Sequence, residues 1–255
     1  MPFLYPTTPS VSLAGKTLIV PIVSTANVAQ LAADLLIASL GLHQVAILDP
    51  SYCIPVVGGR EDGLEGITTP LELFGKPESR VVIIQQRSPV LVSRKQEFVD
   101  ALLNFAQTSQ FSAVLFLSGM DLSNRSDAQM ITPTYQIRLP QSKADLKGTH
   151  LQSLEDLPIP VYRSQGGPEG DDSIPFIPGG GLTRRILSSI SQEWAIPTAS
   201  LLQFVLEGDN AADAGMLAAV IVRVLELTVP GDQLRAPSSW KAGLFGSPHD
   251  QSLYG

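Results

Sequence analysis

The sequence predicts an α/β fold of three layers, αβα, with a mostly parallel central sheet. Two observations carry that class. Short branched apolar runs at 17–23, 45–48, 80–86, 112–117 and 199–205 have the composition of strands buried on both faces. Between several of them lie stretches with apolar residues at helical spacing, at 28–40, 94–108 and 211–228.

Each element has its own local justification. The run at 17–23 is followed by Asn27, a residue suited to capping a helix that carries Val28, Leu31, Leu35 and Ile37 and ends at Gly41. The run at 45–48 then completes a βαβ unit with a right-handed crossover. Residues 67–74 read as a strand near the sheet edge, and 80–86 as a central strand. Phe98, Ala101, Leu102 and Phe105 form one stripe on the helix at 94–108. After the strand at 112–117, residues 118–128 read as a polar loop over the end of the sheet. A strand is expected at 135–139, and 141–150 is polar and reads as exposed. A flexible insertion is expected around 140–173, because 165–173 combines glycine, proline and three acids. A helix is expected to begin near Leu182 and run toward Trp194. The helix at 211–228 presents Met216, Ala219, Val220 and Leu227 near one face and ends at Pro230. The reading is one domain over 1–229, followed by a C-terminal arm over 230–255.

Composition narrows the function. The 255 residues carry 17 Lys and Arg against 24 Asp and Glu, a net charge of −7. An acidic balance argues against a nucleic-acid footprint. Only 16% of residues are charged and 44% are hydrophobic, which leaves surface for a permanent partner. Cys53 is the only cysteine, so neither an intramolecular disulfide nor a thiolate metal cluster is expected. The three histidines, His43, His150 and His249, are far apart and not ligand-spaced. Residues 17–33 are uncharged but are interrupted by Pro21, Ser24, Asn27 and Gln30, too polar to span a bilayer. The expectation is a soluble intracellular protein with no metal, no cofactor and no membrane contact.

Three places carry candidate sites. Gly179, Gly180 and Gly181 precede a helix, where free amides can cradle an anion with help from Arg184 and Arg185. No lysine stands where a phosphate loop needs one, and a tight strand-to-helix turn explains the same glycines. Glu207, Gly208, Asp209 and Asn210 follow a strand, a position at which α/β enzymes place catalytic groups. Asp209 and Asn210 serve equally as helix caps. No catalytic residue is assigned. Leu253, Tyr254 and Gly255 form a third place, an apolar residue and a tyrosine ahead of a carboxylate, which is a portable anchor or a frayed end. Trp240, Leu244 and Phe245 read as facing a partner or packing back on the domain.

Five stretches in order resemble the proteasome assembly chaperone 2 family. They are Leu18-Ile19-Val20-Pro21-Ile22-Val23-Ser24 with Asn27 to Ala32, Ile54-Pro55-Val56-Val57-Gly58, and Ile177 to Thr183. The closest are Phe204 to Asn210 with Asp213-Ala214, and Pro237 to Lys241 with Leu244 to Ser247. Residues 124–172 match poorly. The resemblance implies a chaperone, not an enzyme, of the cytoplasm and nucleus. It would pair with proteasome assembly chaperone 1, bind α-type subunits of the 20S proteasome and guide α-ring assembly, on a fold like that of nucleoside phosphorylases. Fungal members end in a hydrophobic-tyrosine-any pattern that inserts between α subunits, which Leu253, Tyr254 and Gly255 carry here. The rival expectation is a phosphorylase-like enzyme or nucleoside- or phosphate-binding protein using Gly179 to Gly181 with Glu207 or Asp209. A homodimeric scaffold is a further one.

Overall fold

Alternation along the strands sets the layers. In β2 (Thr17–Pro21), Leu18 and Val20 face one side of the sheet and Ile19 the other, as successive strand side chains must. The computed structural model describes residues 2–8, 11–60, 64–139, 146–164 and 173–242. Helices α1 (Val28–Leu40) and α4 (Ala211–Val224) cover the Ile19 face, and α2 (Lys95–Thr108) and α3 (Gly181–Ser189) cover the Leu18 face. The expected three-layer α/β architecture is the observed one.

The sheet has eight strands, in the order β1 (Leu4–Pro6), β3 (His43–Leu48), β6 (Leu71–Gly75), β7 (Val81–Gln86), β2, β8 (Ala113–Asp121), β10 (Thr198–Val205) and β9 (Thr134–Arg138). A separate hairpin pairs β4 (Gly58–Gly59) with β5 (Ile67–Thr68). The central β7, β2, β8 and β10 run parallel, and β1, β6 and β9 run against them. β2 and β3 point the same way across α1, as the βαβ reading expects, but β7 and β6 lie between them.

Several local expectations need correction. The segment read as an edge strand at 67–74 breaks at Pro70, and its second half, β6, lies inside the sheet. Glu72 is tolerated there because its Oε1 accepts from the Gln44 side chain at 2.8 Å and the Thr69 amide at 3.0 Å. The loop expected at 118–128 begins late, since β8 continues to Asp121 with Ser118, Gly119 and Met120 buried. Ser118 is accommodated by a 2.9 Å bond with the Thr183 hydroxyl. Asn27 stands at the N-cap of α1 but makes no side-chain cap bond. Helix α3 ends at Ser189, short of Trp194, whose indole N–H instead donates to Thr198 Oγ1 at 2.9 Å. Helix α4 ends at Val224, six residues before Pro230. Its buried face is Ala214, Leu217, Ala218, Ile221 and Val224, whereas Met216 is 46% exposed. That stripe is rotated from the Met216 face because small residues pack α4 against α1.

Of the expected insertion, 140–145 and 165–172 lie outside the described residues. Leu146, Leu151 and Leu154, between those segments, are buried in the α1 and α4 layer, so the stretch read as exposed at 141–150 ends in packed chain. After α4 the Arg235 amide donates to Ser39 Oγ at 2.8 Å, and Trp240 is partly buried against the same layer. Trp240 therefore packs on its own domain. Leu244, Phe245, Leu253, Tyr254 and Gly255 lie outside the described residues.

Candidate functional site

In open α/β sheets ligand crevices form beyond the carboxyl ends of parallel strands. Here those ends, at β2, β8 and β10, are joined by three turns. After β2 the chain passes Ala26 and Asn27 with φ of 56° and 51°, two successive non-glycine residues in the left-handed region. The Ala26 N–H donates to Glu207 Oε1 at 3.0 Å. Ser24 Oγ accepts from the Gly119 amide at 2.8 Å and donates to the Ile22 carbonyl at 2.9 Å. A Cβ at Gly119 would stand 2.3 Å from the Thr25 carbonyl oxygen, so only glycine allows this approach.

The glycine turn closes on the same point. Gly179 has φ of 75°, and a Cβ there would stand 2.0 Å from Thr25 Oγ1. The Asp121 amide donates to the Pro178 carbonyl at 3.2 Å, and the Gly180 amide to the Ile177 carbonyl at 3.0 Å. A Cβ on Gly180 would meet the Ile177 side chain at 2.4 Å. Close packing thus accounts for Gly179 and Gly180. The Arg184 Nε donates to the Ile174 carbonyl and Arg185 to Gln96 Oε1, beside a shallow depression of about 310 Å³.

Glu207, Gly208, Asp209 and Asn210 also resolve into local structure. Asp209 Oδ1 accepts from the Ala211 amide at 3.0 Å, satisfying the first amide of α4, while Asn210 at the N-cap makes no side-chain cap bond. Asn210 Nδ2 donates to the Leu206 and Gly208 carbonyls at 3.0 and 2.8 Å. The structure therefore brings the Gly179 to Gly181 and Glu207 to Asn210 stretches together through Thr25 and Ala26. The sequence alone assigns no part to Thr25 or Gly119, whose partners at this point lie far along the chain. Among the described residues no group of three or more His, Cys, Asp and Glu side chains could hold a metal ion, and no helix is long and apolar enough to cross a membrane.

What the site offers chemically is surface. Two exposed apolar patches flank the sheet. One lies on the connection after β3, where Val57 is 76%, Leu64 64% and Ile67 56% exposed. The other lies beyond β9, where Ile131 is 90%, Met130 59% and Val161 50% exposed. Exposed apolar side chains of this kind offer surface that a protein contact can cover. Apart from Val57, which lies in the resembling stretch from Ile54 to Gly58, neither patch has a sequence signature, because both sit in irregular connections.

The PAC2 family model matches residues 18–236. The chain belongs to the PAC2 family. Proteasome assembly chaperone 2 of Homo sapiens is 33% identical over 260 residues, covering 95% of this chain and 96% of that protein. The protein of that name from Nematostella vectensis is 32% identical, covering 84% and 91%. The fold is shared with Pyrococcus furiosus PbaA, described as an archaeal homolog of proteasome-assembly chaperone, at a TM-score of 0.60 and 17% identity over 89% of this chain and 87% of that one. Pyrococcus furiosus PbaB, described as an archaeal proteasome activator, gives a TM-score of 0.60 at 16% identity, covering 89% of each. The chain shares this family with relatives named proteasome assembly chaperone 2. The strand-end turns fit that membership, since three of the resembling stretches meet there.

Proposed function

We propose that this chain is a non-catalytic chaperone for assembly of the 20S proteasome α ring. It acts as a heterodimer with proteasome assembly chaperone 1 and binds α-type subunits. The observation that carries this reading is the correspondence over nearly the whole chain, 95% of it, with relatives named proteasome assembly chaperone 2. The geometry supports it in two ways. The carboxylates of Glu207 and Asp209 are engaged by backbone amides, as structural groups are, and exposed apolar side chains on the connection after β3 and beside β9 offer surface to protein partners. Leu253, Tyr254 and Gly255 add a tethered contact to the α ring, which a high effective local concentration makes useful even if weak. The reading requires no cofactor, nucleic acid or membrane, and places the protein in the cytoplasm and nucleus.

The test is quantitative mass spectrometry of proteins captured by an N-terminally tagged chain. Stoichiometric recovery of proteasome assembly chaperone 1 with 20S α-type subunits is expected. Recovery of neither from gentle low-salt extracts, with expression verified, overturns the reading.

A further inference from the structure

We propose that the open edge of the sheet beyond β9 docks an extended segment of the partner chaperone, one bearing apolar side chains and a carboxylate. This inference rests on the heterodimer reading above and adds the surface and the chemistry of its occupant.

The edge begins with an incomplete strand. β9 pairs with β10 on one side. On the other, the Gln136 N–H donates to the Pro160 carbonyl at 2.9 Å and the Tyr162 N–H donates to the Gln136 carbonyl at 2.8 Å. Residues 160–162 thereby add one parallel rung, recorded as a bridge between Gln136 and Val161. Because backbone groups alternate in direction along a ladder, the N–H and C=O of Val161 point away from β9. Among the described residues neither has a hydrogen-bond partner. Pro158 and Pro160, which lack an N–H, suit this outermost position. An added strand would satisfy the two free groups of Val161.

Beside the edge runs a groove of about 820 Å³. Ile131, Tyr135, Leu157, Ile159 and Val161 give it an apolar lining, and Arg163 stands in its wall. Nearby arginines are occupied. Arg125 donates to the Gln129 and Thr132 carbonyls at 2.7 and 2.8 Å and lies over the Phe204 ring. Arg138 donates to Gln136 Oε1 at 2.9 Å and to the Leu154 carbonyl. The exposed Arg163 guanidinium has no hydrogen bond or ion pair among the described residues. A cation unpaired among the described residues, beside an apolar groove, is complemented by a carboxylate on an apolar segment. Ile131 at 90% and Val161 at 50% exposure fit the apolar core of a lasting interface.

The test uses the full chain with its purified partner chaperone, comparing wild type with Ile131→Glu, Arg163→Glu and Arg163→Lys. Ile131 and Arg163 are exposed, so the folds should survive, which circular dichroism checks. Both acidic variants are expected to weaken pairing by at least about tenfold, and Arg163→Lys by less. Hydrogen exchange should show protection of the Val161 amide on pairing. Unchanged affinity of both acidic variants, with new protection at 54–67 instead, overturns the proposal while leaving the heterodimer reading standing. So does full protection of the Val161 amide in the isolated chain, which would mean that the chain covers its own edge. Failure of the wild-type chain to pair at all overturns the heterodimer reading, and this docking with it.

Discussion

Glu207 Oε1 accepts a 3.0 Å hydrogen bond from the backbone N–H of Ala26, a residue 181 positions earlier in the chain. The bond joins the end of β10 to the turn between β2 and α1. Ala26 and Asn27 are both left-handed there, so this turn needs outside support. It also holds Thr25 where Gly179 can pass, so one acidic side chain helps to align three strand ends. The same bond leaves Glu207 serving backbone architecture.

Glu207→Ala should destabilise the fold modestly, by about 0.5–1.5 kcal/mol, because the bond is exposed and water can replace it. Glu207→Gln retains an acceptor and should lose less. Urea unfolding of the two variants checks this, and equal losses would show that the amide bond is not what Glu207 contributes.

Gly179→Ala should cost more, about 1–3 kcal/mol, from a positive φ combined with contact against Thr25 Oγ1. Pairing it with Thr25→Gly removes the clash and keeps the backbone strain. The double variant should therefore recover part of the thermal stability lost by Gly179→Ala, relative to Thr25→Gly alone.

The two faces of α4 make a controlled pair. Leu217→Ala, at a position with 0% exposure, should destabilise by about 2–5 kcal/mol through a cavity between α4 and α1. Met216→Ala, on the exposed side, should stay within about 0.5 kcal/mol of wild type. Denaturation midpoints at constant m-value decide between them.

Burial pushes the Glu72 carboxyl above its usual range, against the opposing pull of the Thr69 amide and of Arg60 and Arg87. A raised carboxylate pKa means that the folded state holds its proton longer than the unfolded chain. Glu72 therefore lowers stability progressively as pH rises from the ordinary glutamate range through the raised value. Glu72→Gln should be relatively more stable above that interval and lose its advantage below it. Urea titrations at a series of pH values check the sign. An advantage confined to acidic pH would show that the Arg60 contact outweighs burial.

Burial likewise raises the Cys53 thiol to about 12. Its alkylation by iodoacetamide near pH 8 should be at least about 100-fold slower in the native chain than in urea, because the thiolate is the reactive form. Rapid native labelling would mean that the bridge between Cys53 and Val90 opens readily.

Much was legible from composition and pattern alone. The runs at 80–86, with Val81, Val82, Ile83 and Ile84, and at 199–205, with five apolar residues of seven, read as buried strands because they are short, apolar and nearly free of charge. Gly41 marked the end of α1 because its left-handed φ of 59° suits a residue without a side chain. The order of those elements was enough to predict the α/β layers, and the resembling stretches pointed to the family that the comparisons then showed. Strand order was not legible, because β6 and β7 enter between β3 and β2 through pairings that local sequence does not encode. Nor was the buried face of α4. Its alanines and branched residues allow more than one stripe, and contact with α1 chose between them. The same holds at the strand ends. Gly179 and Glu207 were visible as unusual residues, but Thr25 and Ala26, which explain both, lie more than 150 positions away. Local propensity and periodicity determined which segments became strands and helices; only long-range packing decided which of them met, and so which polar groups became architecture and which apolar ones remained surface.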